Sequence, residues 1–451
     1  MAIRYRRIWR YGSVAIDAKK KSKNGTKMPK YQRRVVDDEL DELMPTLPAI
    51  ALEGPKGVGK TATAEGRCRT VFRFDEPAQR AIAEADLALV LTQEPPLLID
   101  EWQRVPSVWD AVRRTVDRDQ VPGRFLLTGS AGPVTPPTHS GAGRIVTLRM
   151  RPMSLVERGV GMPSVSLNRL LMGGRPDVAG KTDVTLSDYV REIVHSGFPG
   201  IRPLAGRALR LQLDGYLCRI IDTDFPEQGY MVRRPEVLRR WLAAYAAATA
   251  TTASFETIRD AASGGQGEKP SKTTTQPYRE ILERLWIVDP VPAWLPSRNR
   301  LNRLAQPPKH HLADPALAVR MLGLDTGALL AGEDSKLPIP RDGSLLGHLF
   351  ESLVTLGIRT FAQAAEAQVR HLRLHGGRQE VDLIVERGDQ RVIAIEVKLS
   401  STVDDGDVRH LLWLREQIGD DLLDSIVIHT GPQAYRRPDG IAVIPAALLG
   451  P

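Results

Sequence analysis

Cysteine is almost missing from this chain: among 451 residues there are two, Cys68 and Cys218. Two thiols exclude a disulfide framework and a cysteine-built zinc site. No apolar run reaches the roughly 18 residues a membrane helix needs, and the N-terminus lacks the apolar core of a secretory leader. The expectation is a soluble, cytoplasmic protein without a membrane partner. Internal repeats are missing too, and no Ser, His and Asp set stands out as a nucleophilic triad. What is present is 42% hydrophobic residues and enough length for two to four folded domains, at about 150 residues each.

Acid is scarce at the start. Residues 1–34 carry twelve Lys and Arg against one acid, Asp17, a net +11 that leaves the rest of the +8 chain at −3. With Tyr5, Trp9 and Tyr11 interleaved, this segment reads either as an arm for phosphate backbones or as a solvated leader. Beyond it, residues 35–155 alternate strand and helix patterns, the signature of a parallel sheet covered on both faces. "SAGPVTPPTHSGAGR" then reads as a mobile loop. Residues 156–240 follow as a helical linker or lid. In 241–330, "SFETIRDAAS" and "TTTQPYREILERLWIV" give helix, turn, helix and a strand-like end, the order of a winged helix or of one more helical hairpin. Residues 331–451 read as helix, three strands, helix and strand.

"GPKGVGKT" follows a buried strand and opens a helix. Gly54, Gly57 and Gly59 let backbone N–H groups curl around phosphate oxygens, so Gly54, Pro55, Lys56, Gly57, Val58, Gly59, Lys60 and Thr61 form a nucleotide loop. Lys60 neutralises phosphate charge and the Thr61 hydroxyl coordinates Mg²⁺. "LLIDE" ends a strand with Asp100 for the metal's water shell and Glu101 to polarise the attacking water, on what the spacing suggests is the neighbouring strand. Thr128 or Ser130 of "LLTGS" is placed to sense the γ-phosphate, although Thr-Gly-Ser is also ordinary turn chemistry. ATP and Mg²⁺ are the implied cofactors.

"ALEGPKGVGKTATA", "LLIDEWQRVPSVWDAVRRTVD", "FLLTGSA", "SGAGRIVTLRMRPMSL" and "YVREIVHSGFPGI" together resemble the bacterial and archaeal AAA-type ATPases that carry a DUF4143 domain toward the C-terminus. The resemblance runs from about residue 30 through most of the chain. It implies an AAA+ core and is compatible with a winged helix. It also implies an arginine supplied by a neighbouring subunit, hence a homo-oligomer; Arg144 is the candidate, with Arg149 and Arg151 as rivals. Asp314 matches an acid typical of these proteins, without an assignable chemistry.

In "EVDLIVERGDQRVIAIEVKLS" an Asp is followed fourteen positions later by a Glu and then a Lys. If "RGDQ" folds strand on strand, Asp382 and Glu396 can converge on Mg²⁺ while Lys398, on the same face as Glu396, stabilises charge. Both acids lie in apolar runs, where an unpaired carboxylate is costly. Glu351, on an amphipathic helix, would supply a third ligand. The set looks like the PD-(D/E)XK nuclease motif, which implies a restriction-endonuclease-like α/β fold and cleavage of a phosphodiester. His310, His311, His371 and His375 read as surface or structural. The chain is thus expected to be an α/β AAA+ ATPase coupled to nucleic acid, DNA above RNA, with a metal-dependent nuclease at its end. The alternatives are a DNA-binding or scaffold ATPase with a catalytically silent nuclease-like domain, and a partner-regulated ATPase whose C-terminal domain recognises protein.

Overall fold

The computed structural model describes residues 31–132, 140–263, 269–296, 306–334, 343–374 and 377–451. The basic segment up to residue 30, much of the Pro- and Gly-rich loop and His375 lie outside them. From Arg33 to Pro451 the chain forms one compact unit. Arg33 and Arg34 belong to this unit and not to the arm: Arg34 is buried against Glu157.

Five strands build the first sheet: β1 (Ala49–Glu53), β2 (Thr70–Arg73), β3 (Leu97–Asp100), β4 (Phe125–Gly129) and β5 (Val146–Arg149). They are all parallel, in the order β2-β3-β4-β1-β5. Side chains alternate between faces along a strand. Ala49, Ala51, Leu97, Ile99 and Leu127 therefore join Trp102, Trp109 and Val112 in one core, whereas Ile50, Leu52, Leu98, Leu126 and Leu148 enter another. That second core continues into the helical and C-terminal regions, which ties the first sheet to them. The sequence expectation that "LLID" neighbours the loop strand is corrected here: β4 lies between β1 and β3. β5 was not singled out as a strand, and half of it is exposed.

The middle of the chain is helical, from Leu186–Val194 to Thr326–Asp334. The helix Gly206–Arg219 runs on through one π turn, Ile220–Asp224, into Phe225–Glu227. Helices Phe255–Ala261 and Lys272–Arg284 precede an antiparallel ladder in which Val288 faces Leu312 and Val291 faces Lys309.

Two short strands, β6 (Val165–Ser166) and β7 (Gly180–Lys181), precede the C-terminal sheet strands β8 (Gln368–Arg373), β9 (Glu380–Glu386), β10 (Val392–Val397), β11 (Leu422–His429), β12 (Gln433–Arg436) and β13 (Ala442–Pro445). A last strand, β14 (Leu449–Gly450), pairs with β6. The sheet order is β7-β12-β13-β11-β10-β9-β8, mixed parallel and antiparallel. The "RGDQ" turn does fold β9 onto β10. Helix Gly343–Ala364 covers one face through Leu349 and Leu353, and Asp405–Ile418 covers the other through Val408, Leu411 and Leu414. No helix among the described residues is long and apolar enough to cross a membrane.

Candidate active site

The phosphate loop leaves β1 at Gly54, where a Cβ would stand 2.1 Å from the Met150 carbonyl oxygen, so no side chain fits. Gly57, at φ +79°, has open space on its Cβ side. The loop thus has an inner wall made by the chain after β5 and an outer side free for phosphate. Lys60 starts the following helix and is buried. Its Nζ donates to the Gly54 and Pro55 carbonyls at 2.8 and 2.9 Å, and burial, partly offset by Glu101 and Asp100, pushes its pKa down to about 8. A buried ammonium bonded to its own loop's carbonyls fits an incoming phosphate.

Parallel register brings the remaining groups to the same sheet edge, with Asp100 level with Thr128. One oxygen of Asp100, Oδ1, accepts from Thr61 Oγ1 at 2.9 Å and from Thr128 Oγ1. Burial raises the Asp100 pKa against the pull of those two donors. Glu101 sits at φ +55°, a left-handed conformation that a non-glycine residue rarely adopts and that is found at constrained functional positions. Its Oε1 accepts from Ser130 Oγ at 2.5 Å, and its Oε2 from Gln103 Nε2. Lys60, Thr61, Asp100, Glu101, Thr128 and Ser130 are therefore brought together. The residues fit a nucleotide with its Mg²⁺.

Three supports of the loop escaped the sequence reading. Arg34 Nη1 donates to the Val58 carbonyl at 2.9 Å, and its Nη2 to the Arg151 carbonyl at 2.7 Å. Lys56 pairs with Asp224 at 2.6 Å and Glu227 at 2.8 Å. The π turn and the short helix after it bring those two acids over the loop. Spacing between residues some 170 positions apart carries no such signal.

The arginine candidates fare unequally. Arg144 is 46% exposed and pairs with Asp117 of its own chain at 2.7 Å. Arg149 and Arg151 are spent inside the protein: with Arg359 they surround buried Asp289 at 2.9, 3.1 and 2.7 Å. Burial raises the Asp289 pKa, but the three guanidinium groups overcome it and hold the carboxyl far below its ordinary range. This removes Arg149 and Arg151 as groups able to reach a neighbouring subunit.

In the C-terminal domain the register of β9 and β10 ends with Ile395 facing Leu383. One step further Glu396 stands opposite Asp382, and the Val397 N–H donates to Asp382 Oδ2 at 2.9 Å. Glu351, Asp382, Glu396 and Lys398 share one pocket, but so does a residue the sequence reading passed over. Lys309 Nζ lies 2.8 Å from Glu351 Oε1, 3.1 Å from Asp382 Oδ1 and 3.5 Å from Glu380 Oε1. Lys398 pairs with Glu396 Oε2 at 3.1 Å. Burial, with Asp382 adding to it, lifts Glu351 to about 8, and the same two causes raise Glu396 well above the carboxylate range. Among the described residues no three His, Cys, Asp or Glu side chains form a group ready to hold a metal ion. With an ammonium between the acids, the pocket as arranged does not fit Mg²⁺.

Asp314 is structural: its Oδ2 accepts from Ser196 Oγ and the Gly197 N–H, both at 2.6 Å, and its Oδ1 caps helix Pro315–Met321. His310, His311 and His371 are buried, with hydrogen bonds to Ala253, Ser352 and Pro307, and burial lowers the pKa of each.

Comparison with known proteins agrees with the first site. Residues 47–158 match the family model described as an AAA domain. That segment of the chain is similar to the AAA domain family. Two further models match beyond it, the domains of unknown function DUF8612 at 186–328 and DUF4143 at 346–449. The uncharacterized proteins Rv2008c of Mycobacterium tuberculosis and Mb2031c of Mycobacterium bovis are each 27% identical over 380 residues, 82% of this chain and 75% of theirs. Among solved structures, the Walker-type ATPase PABY2304 of Pyrococcus abyssi matches with TM-score 0.35 and 16% identity, over 63% of this chain and 94% of its own. The segment matched to the AAA domain includes every residue of the nucleotide loop and of the strand ends that face it.

Proposed function

We propose that the protein hydrolyses ATP with Mg²⁺ at the edge of the first sheet and couples the nucleotide state to nucleic-acid binding by the later domains. The observation that carries the ATPase part is the convergence of Lys60, Thr61, Asp100 and Glu101 at one end of β1 and β3. ATP, when bound with its metal, supplies the phosphoryl group that is transferred to water. The chain's own residues do the rest: the amides from Gly54 to Gly59 hold the phosphates, and Lys60 leaves its loop carbonyls to neutralise them. Thr61 and Asp100 would hold the metal's shell. Glu101 orients the water and accepts its proton after letting go of Ser130.

Nucleic-acid coupling rests on the order of helices Phe255–Ala261 and Lys272–Arg284 followed by a paired hairpin, which is the order of a winged helix. The hairpin also bridges the two ends of the chain, since Asp289 takes Arg149 and Arg151 while Lys309 enters the acid pocket. The second reading, a nuclease-like domain that binds without cutting, is favoured by that same Lys309. Assembly through Arg144 is part of the proposal, because that side chain is half exposed.

The test is ATP hydrolysis and plasmid cleavage by wild type, Lys60→Ala and Asp382→Ala/Lys398→Ala, with Mg²⁺ or Mn²⁺. Wild type should hydrolyse ATP and folded Lys60→Ala should not. Hydrolysis that survives in Lys60→Ala would refute the ATPase assignment, and cutting lost only in the double variant would restore the nuclease.

A further inference from the structure

The phosphate loop carries a second lysine, Lys56, four residues before Lys60. The two ammonium groups sense one another: burial is the main cause of the lowered Lys60 pKa, and the Lys56 charge lowers it further, against the pull of Glu101, Asp100 and Glu53. Lys56 is held by Asp224 at 2.6 Å and Glu227 at 2.8 Å. Glu227 in turn lies 3.9 Å from Arg104, three residues past Glu101. Two acids and two cations thus balance one another beside the loop without any ligand. The segment that brings the acids also holds the loop by neutral contacts. The Tyr216 hydroxyl donates to the Lys56 carbonyl at 3.1 Å, and Gln228 Nε2 donates to the Gly132 carbonyl, beyond β4, at 3.2 Å. Pro226 explains the π turn between them. It has no N–H for the Asp222 carbonyl, and in a regular helix its ring would press on that carbonyl. The chain widens instead, with the Phe225 N–H donating to the Ile220 carbonyl, and Asp224 stands at the end of the turn. Single π turns recur at functional sites.

We propose that Lys56 is a phosphate-binding cation held in reserve: Asp224 and Glu227 occupy it in the empty protein, and the terminal phosphate of ATP takes it from them. The inference rests on reading the loop as an ATP site. A phosphate arriving beside two carboxylates is repelled by them and attracted by the lysine they hold, so phosphate and acids compete for one ammonium. The terminal phosphate is what ADP lacks. ATP therefore binds more weakly than the loop alone would allow, by the free energy of the pairs it breaks, and ADP meets no such cost. Losing Lys56 also leaves Asp224 and Glu227 without the cation that ties their segment to the loop, which carries the exchange into the helical region.

The experiment is calorimetric titration of full-length protein, in Mg²⁺, with a non-hydrolysable ATP analogue and with ADP. Wild type, Asp224→Asn/Glu227→Gln, Lys56→Gln and the triple variant are compared as a mutant cycle. The acid variant should bind the ATP analogue at least about fivefold tighter than wild type, with ADP affinity within about twofold. Adding Lys56→Gln should abolish that gain. Equal affinity of wild type and acid variant for the ATP analogue overturns the proposal, and so does an equal gain for ADP. A gain that survives Lys56→Gln also overturns it, because the acids would then act by bare repulsion. If Asp224→Asn prevents folding, Glu227→Gln alone, at a side chain 44% exposed, should still tighten the ATP analogue about twofold in a Lys56-dependent way. No gain there is equally fatal. Nucleotide binding without a difference among the variants sinks this proposal alone, whereas no binding by wild type or any variant sinks the ATP reading and the proposal with it.

Discussion

Replacing Asp289 by Asn removes the carboxylate that pairs with Arg149, Arg151 and Arg359. All four side chains are at most 19% exposed, so water can do little to screen what is left. Removing one partner of a buried pair costs about 3–5 kcal/mol, since the loss is dominated by the charge stranded behind it. Three guanidinium groups remain here, so the upper half of that range is expected. Trp286 lies 4.5 Å from the Arg149 guanidinium, which makes tryptophan fluorescence during urea unfolding a local reporter. A chain of several domains need not unfold in one step, so the transition to compare is the one that Trp286→Phe removes. The pH dependence follows from the depressed pKa of Asp289. Its contribution is fully present above the unfolded carboxyl value of about 3.9 and is lost as pH falls from there toward the folded value. The difference between wild type and Asp289→Asn should be flat from about pH 5 to 8 and shrink below about pH 4. A difference under about 1 kcal/mol at pH 7 would refute the reasoning, because that is the size of an exposed pair.

Glu101→Gln should keep nucleotide binding, read with a fluorescent ATP analogue, while turnover falls about 10²–10⁴-fold; unchanged turnover would show that another group activates the water. Gly197→Ala should destabilise by about 1–3 kcal/mol, since its Cβ would meet Arg158 Nη2 at 2.7 Å and Met153 backbone atoms at 2.8 Å. A melting temperature equal to wild type's would contradict that packing. Under native conditions one thiol per chain should react quickly with a disulfide reagent: Cys218 is exposed, whereas burial pushes Cys68 up to about 12. Two fast thiols would place Cys68 at the surface.

Much of the first site could be read from the sequence because its residues are local to strand ends. "GPKGVGKT" sits between β1 and a helix, and "LLIDE" and "LLTGS" close two other strands, so backbone geometry alone points Lys60, Asp100 and Thr128 to one edge. Strand order was not legible there, because parallel crossovers let β4 insert between β1 and β3 whatever their order in the chain. In the C-terminal domain, alternation and the turn at residues 387–390 were enough to pair β9 with β10 and to set Glu396 opposite Asp382.

The sequence by itself determined the chemical inventory: a phosphate loop, two strand-end acids, and a second set of carboxylates with a lysine. Tertiary structure decided what each charge is for. Arg149 and Arg151 pass from surface candidates to partners of Asp289, Lys56 turns to Asp224 and Glu227, and Lys309 fills an acid pocket. The reason is electrostatic. A buried charge must meet its opposite wherever the fold brings one, and those partners lie from about 40 to 170 residues away in sequence, beyond the reach of any spacing rule.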